Sequence, residues 1–294
     1  MGKMYDALQK MEREKYPEVK VASSEPTPDD IVLDDKLVSY FQPSSMVAEQ
    51  FRRLRQYIIK PGIDDSPKAL LVTSAMAGEG KSLIAINLAI TIAIELHSHA
   101  LLVDCDLRNP SLSRFFGLHE ALGLSDYLQG NVELDGLFVK TSVDKLSVLC
   151  GGSLQDNPVE LIGSNKMKSL IQDLRSRYND RYIILDSSPL LATTEPSVLN
   201  EMVDGILYVV KAGETPRETV VQAMNLLRKE KIMGVVLNSV EFKTQALIRR
   251  YFGMHHYYYD YRYSKTHPAP GMRGRLSLFT KDMKAMMFGR KDKK

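Results

Sequence analysis

Short apolar runs without internal alternation recur along the middle of the chain, at 69–72, 100–103, 146–150, 182–185, 206–210 and 234–237. Strands look like this when both faces of their sheet are covered. Between the runs the apolar period lengthens to that of helices, notably over 81–95, 158–178 and 217–229. Strands alternating with helices predict βαβ units, hence an α/β fold with a mostly parallel sheet and helices on both faces. Upstream, a helical pattern runs from Ser44 through Glu49, Arg52 and Arg55 to Ile59 and stops before Pro61. Residues 23–35 are rich in Ser, Pro and Asp and read as a linker. Before it, Met4, Leu8 and Met11 fall at the spacing of a short amphipathic helix. No internal repeat is visible. The predicted domains are 1–44, an N-terminal helix and linker; 45–250, the α/β body; 251–263, a tyrosine-rich segment; and 264–294, a flexible basic tail.

Composition narrows the class. With 44% apolar and 26% charged residues, 18 Gly and 13 Pro, the chain is neither collagen-like, mucin-like nor wholly disordered. Two cysteines, Cys105 and Cys150, exclude a disulfide scaffold and a cysteine-based zinc site and suit a reducing compartment. The longest apolar stretch, 83–96, is broken by Asn87, Thr91 and Glu95 and is too short to span a bilayer. The first residues lack the apolar core of a signal peptide, so a cytoplasmic soluble chain is expected. The net charge of +3 conceals an asymmetry: residues 264–294 hold nine Lys/Arg against two Asp, leaving a mildly acidic body. A basic tail of this kind meets a membrane surface, a nucleic acid or an acidic partner, or is a solvated end.

Three segments carry the chemistry. After the first run comes Ser74-Ala-Met76-Ala77-Gly78-Glu79-Gly80-Lys81-Ser82, leading into an apolar helix. Small residues here let successive backbone N–H groups curl around phosphate oxygens at the positive end of the following helix. Lys81 is expected to reach the β- and γ-phosphates, and Ser82 to place its hydroxyl on Mg²⁺. The second segment, Asp104-Cys-Asp106-Leu-Arg108, sets two carboxylates at the end of a buried strand, facing the crevice of the phosphate loop. Such groups supply hard oxygen ligands for Mg²⁺ or a proton acceptor. The third, Asp186-Ser-Ser-Pro189, is another acid at a strand end. In this order the three predict a P-loop NTPase fold with a nucleotide triphosphatase or kinase site.

The Asp-x-Asp-x-Arg segment after the phosphate loop resembles the second acidic motif of the bacterial tyrosine kinases (BY-kinases), autokinases that control exopolysaccharide and capsule export. Glu49-x-x-Arg52-x-x-Arg55 is similar to that family's subunit-interface helix, and Gly123-Leu-Ser-Asp-Tyr-Leu and Asn157-Pro-x-Glu160-Leu to two further family segments. The resemblance covers 44–263, and the stand-alone chain is most similar to kinases of exosortase-linked loci. In the related MinD and ParA ATPases a second lysine stands where this chain has Met76. Two positions depart from the kinase pattern: Ala77 replaces a common Pro, and Ser188 stands where a first Pro would follow Asp-Ser/Thr, which puts loop rigidity in question. The resemblance implies ATP and Mg²⁺ as cofactors, with Met76–Ser82 and Lys81 holding the phosphates and Asn238 reading adenine. Asn238 is equally well read as an Asn that ends a strand. Ser82, Asp106 and Asp186 would hold Mg²⁺, and Asp104 would be the base. The resemblance further implies a homo-oligomeric ring, a transmembrane activator of the chain-length-regulator type and a cognate tyrosine phosphatase. The rival readings are a MinD/ParA-like ATPase switch without kinase activity and a non-catalytic, nucleotide-dependent regulator of an export complex.

Tyr251, Tyr257, Tyr258, Tyr259, Tyr261 and Tyr263 are six of the chain's 14 tyrosines, crowded into one short stretch. They form no helical apolar face. A β-edge or a stacking surface for nucleic acid is an alternative, but phosphoacceptors suit the segment better, since each phosphate adds about −1.5 to −2 charge and resets an interface. In the family such clusters are autophosphorylated in trans; no nucleic acid is expected. Beyond them, Leu276, Phe279, Met283, Met286 and Met287 fall at helical spacing among Arg273, Arg275, Lys281, Lys284 and Arg290. That pattern suits peripheral attachment to an anionic inner-membrane surface or docking on the kinase body.

Overall fold

The computed structural model describes residues 33–59, 66–118, 122–177 and 180–240. The helix expected near the N-terminus, the tyrosine cluster and the basic tail lie outside the described residues. The described residues up to Ser239 belong to one compact unit.

Among the described residues seven strands form one sheet: β1 (Ala69–Ser74), β2 (His99–Asp104), β3 (Phe138–Lys140), β4 (Leu146–Leu149), β5 (Arg181–Asp186), β6 (Gly205–Lys211) and β7 (Ile232–Asn238). Their order in space is β3-β4-β2-β5-β1-β6-β7. Every pair is parallel except β3–β4. The helices are α1 (Val38–Phe41), α2 (Met46–Ile58), α3 (Lys81–Ala93), α4 (Leu112–Phe115), α5 (Leu124–Gln129), α6 (Pro158–Ile162), α7 (Asn165–Arg177), α8 (Glu195–Met202) and α9 (Arg217–Met224). Alternate side chains of β1 enter two cores. Leu70 and Val72 pack with Leu37, Phe51, Ile58 and the body of α3, whereas Ala69 and Leu71 pack with Leu124, Ile162, Leu170, Leu199 and Ala223. The unbroken apolar run of β1 is thus the direct product of helices on both faces.

Three expectations need correction, and one strand is added. Residues 158–178 form two helices, because Gly163 interrupts them and the Ser164 hydroxyl accepts the Met167 N–H (3.1 Å) to start α7 afresh. The helix expected to reach residue 229 stops at Met224, and Lys229–Lys231 is a 3₁₀ turn leading into β7. The three-residue β3, too short to show a period, adds an antiparallel edge. Residues 33–44 belong to the body. Leu33 and Leu37 sit in the core, and the Ser39 N–H donates to Asn87 Oδ1 (2.9 Å). Asn87 and Thr91, polar residues inside the apolar α3, anchor this segment: Thr91 Oγ1 donates to Ser39 Oγ (3.0 Å), and Asn87 Nδ2 donates to Lys36 O (3.5 Å).

Replacing Asn87 with Ala leaves the buried Ser39 N–H without its acceptor. The expected cost is about 1–3 kcal/mol, read as a lower urea midpoint at unchanged m-value; an unchanged midpoint would show that the seam carries no stability.

Candidate active site

The order of the strands places the chemistry. A parallel sheet delivers all its C-terminal strand ends to one edge, and β5 and β6 flank β1 there. At that edge β1 runs into the loop before α3, β2 ends on Asp104, β5 on Asp186 and β7 on Asn238. Asp104 and Asp186 are register partners on adjacent strands. The loop 75–80 turns through left-handed positions at Gly78 (φ +81°) and Gly80 (φ +89°), the latter capping α3. A Cβ on Gly80 would stand 2.1 Å from Asn238 Nδ2, so any other residue there would displace the Asn238 side chain as well as strain the left-handed backbone.

The electrostatics of the crevice are unbalanced. Lys81 Nζ lies 3.8 Å from Asp106 Oδ2, with both side chains mostly buried. Asp104 is fully buried; its Oδ2 accepts the Ser111 and Leu112 N–H groups (2.8 and 2.9 Å), and its Oδ1 accepts the Asp106 N–H (3.2 Å). Burial nevertheless holds its pKa above the usual carboxylate range, and the neighbouring Asp106 adds to that. Asp186 is raised too, by burial and then by Asp104, while Lys81 and the Ser82 hydroxyl pull it back. Neither Asp186 oxygen meets a full hydrogen-bond partner. Burial also raises Asp106, against the pull of Lys81. Three buried carboxylates therefore share one ammonium.

Such a set fits a hard divalent cation. Asp106, Asp186 and the Ser82 hydroxyl supply oxygen donors, and the orphaned Asp186 oxygens point to an absent positive partner. Among the described residues no group of three or more His, Cys, Asp or Glu side chains is arranged as a cage. Mg²⁺ suits that arrangement, because it is usually held by one or two carboxylates plus substrate phosphates.

The site also holds residues that the motifs did not single out by role. The Glu79 side chain turns inward, only 3% exposed. Its Oε2 accepts the Met76 N–H (2.7 Å), and its Oε1 accepts the Lys211 N–H (3.2 Å) and the Thr215 hydroxyl. Its backbone carbonyl accepts from Asn238 Nδ2 (2.9 Å). The Met76 N–H, expected to face phosphate, is therefore engaged by Glu79. Glu195, at the start of α8 and 2% exposed, accepts from Arg108 Nε (2.9 Å) and lies close enough to raise Asp106. Its sequence signal is the Pro196 that follows it, which marks a helix start. Ser188 Oγ pairs with the Thr193 hydroxyl and Thr73 Oγ1 donates to Ser188 O (3.1 Å), ties that secure the loop in which a Pro is lacking.

The helix α2 lies apart from these strand ends. Arg52 Nε donates to Glu49 Oε2 (2.8 Å) and its Nη1 to Pro43 O (2.7 Å), while Arg55 Nη1 donates to Thr91 O (2.9 Å). Within one chain, all three residues already have partners. Asp126 Oδ2, in α5, accepts the Gly123 N–H (2.9 Å) and its Oδ1 the Ser153 hydroxyl (2.8 Å), which fastens the loop after β4.

The comparisons with known proteins agree with this geometry. The family model described as ParA, the NUBPL iron-transfer P-loop NTPases, matches residues 66–256. Tyrosine-protein kinase YwqD of Bacillus subtilis (strain 168) is 32% identical over 204 residues, which cover 69% of this chain and 85% of that protein. The putative tyrosine-protein kinase CapB of Staphylococcus aureus is 30% identical over 72% of this chain and 92% of its own length. The crystal structure of the chimerical protein CapA2B2 superposes with a TM-score of 0.66 at 30% identity, over 72% of this chain and 93% of that one. The kinase domain of the Escherichia coli tyrosine kinase ETK shares the fold, with a TM-score of 0.65 at 24% identity, over 79% of this chain and 88% of that one.

Asp186→Asn removes a buried, poorly partnered carboxyl group from beside the repelling Asp104. The protein without nucleotide is expected to gain about 1–3 kcal/mol of stability and to lose affinity for Mg²⁺-ADP, as seen by denaturant titration and calorimetry. A destabilised variant would mean that Asp186 has a partner in the protein itself.

Proposed function

This chain belongs to the bacterial tyrosine kinases, P-loop NTPases of the ParA type, and from that membership we propose that it is an ATP- and Mg²⁺-dependent autokinase that phosphorylates its own tyrosine cluster in trans. The observation that carries the reading is the crevice in which Asp104, Asp106 and Asp186 converge on Lys81 beside a glycine-capped helix N-terminus.

Phosphoryl transfer of this kind is positioning plus neutralisation of charge on the transferring group. Lys81 and the loop amides from Ala77 onward would hold the phosphates, and Asn238 the adenine. Ser82, Asp106 and Asp186 would hold Mg²⁺, which when bound supplies positive charge against the phosphate oxygens. Asp104 takes the proton of the incoming tyrosine hydroxyl. An ionised carboxylate has about four lone-pair directions, and backbone amides occupy three of them here, leaving one on Oδ1. Its raised pKa suits a base near neutrality. The complete burial of Asp104 favours one competing assignment, in which Asp104 only fixes the loop and Asp106 takes the proton.

The acceptors are Tyr251, Tyr257, Tyr258, Tyr259, Tyr261 and Tyr263 of a second subunit. Glu49, Arg52 and Arg55 exchange their partners within the chain for partners across the ring interface. Negative charge added to the cluster then loosens the ring. The setting is exopolysaccharide polymerisation and export, with a transmembrane activator of the chain-length-regulator type and a cognate tyrosine phosphatase. Among the described residues no helix is long and apolar enough to cross a membrane, so inner-face attachment falls to the basic tail and to that activator.

Incubation with γ-labelled ATP and Mg²⁺, followed by phosphotyrosine mapping, is expected to label the cluster. Label released only as free phosphate would favour the ATPase switch. Asp104→Asn should abolish labelling while sparing nucleotide binding, and Lys81→Met should lose both. Residual labelling in Asp104→Asn together with none in Asp106→Asn would move the base to Asp106.

A second outcome concerns assembly. Arg52→Ala, which leaves the Arg55–Thr91 contact intact, should lower the mass seen by light scattering. An unchanged oligomer would remove α2 from the interface.

A further inference from the structure

We propose that Glu79 is a positioning residue that locks the base-reading Asn238 to the phosphate loop and thereby sets the preference for adenine over guanine nucleotides. The inference rests on the reading that Asn238 meets the base.

An acid within a phosphate loop is electrostatically adverse unless its charge is taken up elsewhere. Here it is taken up. The Glu79 carboxylate gathers donors from three segments: Met76 of the loop itself, Lys211 at the end of β6, and Thr215 ahead of α9. The circuit closes through β7. Asn238 Nδ2 donates to the Glu79 carbonyl (2.9 Å), and the Ala212 N–H donates to the Asn238 carbonyl (2.9 Å). The phosphate loop, the β6–α9 connection and the end of β7 are thus held as one hydrogen-bonded unit with Glu79 at its centre.

The chemistry of the Asn238 amide gives this unit a consequence for specificity. Its Nδ2 carries two hydrogens and its Oδ1 two lone pairs. One hydrogen is held by Glu79, which leaves one donor and one acceptor side by side. An adenine edge offers the complement, an exocyclic N–H and a ring nitrogen. Guanine presents two acceptors, O6 and N7, at the corresponding edge. To suit guanine the amide would have to turn over, and that would set Oδ1 against the Glu79 carbonyl, acceptor against acceptor. The bond to Glu79 forbids the turn, and the buried carboxylate keeps Glu79 where the bond requires it.

Glu79→Gln keeps the volume and the carbonyl but has one acceptor oxygen where the carboxylate had two, so it retains only one side of the brace. Thr215→Val removes one donor and leaves every other group in place. Both are compared with the unaltered full chain by titration calorimetry in MgCl₂ with ADP, GDP and pyrophosphate, and circular dichroism verifies folding. In Glu79→Gln, ADP affinity is expected to fall about tenfold, the scale of one charge-assisted hydrogen bond left unmade. Pyrophosphate affinity should fall less, and the ADP-over-GDP preference should narrow; Thr215→Val should show the same pattern in smaller measure. Two results overturn the proposal alone: an ADP-over-GDP preference unchanged in both variants, or equal losses for ADP and pyrophosphate. An unaltered chain that binds ADP no better than pyrophosphate would overturn the base reading and the proposal together.

Discussion

Asp104 and Asp186 stand opposite each other at the ends of two adjacent parallel strands, both fully buried, with the phosphate loop of β1 alongside. Placing that much like charge in a low-dielectric setting is tolerable only because the rest of the edge is arranged around it. The N-terminus of α4 turns two amides onto Asp104, Lys81 enters from the start of α3 beside Asp106, and the α8 residue Glu195 holds Arg108 at the rim. Parallel pairing is the cause of this crowding, since it sends every strand's C-terminal end to one side. Stability is given up there for a concentration of buried charge, a familiar trade at functional sites.

Much of this was readable in the chain. Strands β1, β2, β4, β5 and β6 announced themselves because burial on two faces removes polar alternation, whereas β7 shows the same apolar run with Val235 and Leu237 exposed. Lys81, Asp104, Asp106 and Asp186 fell into one crevice because strand ends and turns are local features. What escaped were features set by long-range partners. The inward turn of Glu79 depends on Lys211 and Thr215, more than a hundred residues away, and the pattern of the loop specifies nothing at that position. The break at Gly163 is a single small residue inside a continuous apolar period. Residues 33–44 looked like linker because their polar content is high, yet Ser39 is polar in order to meet Asn87.

The buried polar residues of α3 also decide where the protein can be cut. A chain whose first 44 residues read as an N-terminal helix and linker invites trimming at residue 45. That cut would strip Leu33 and Leu37 from the core and leave Asn87 and Thr91 facing solvent on an otherwise apolar helix. Tolerance to truncation follows burial and hydrogen bonding of the backbone removed, not its position in the sequence. By that measure Leu33 belongs to the folded body, and a shortened protein for biochemical work should start ahead of it.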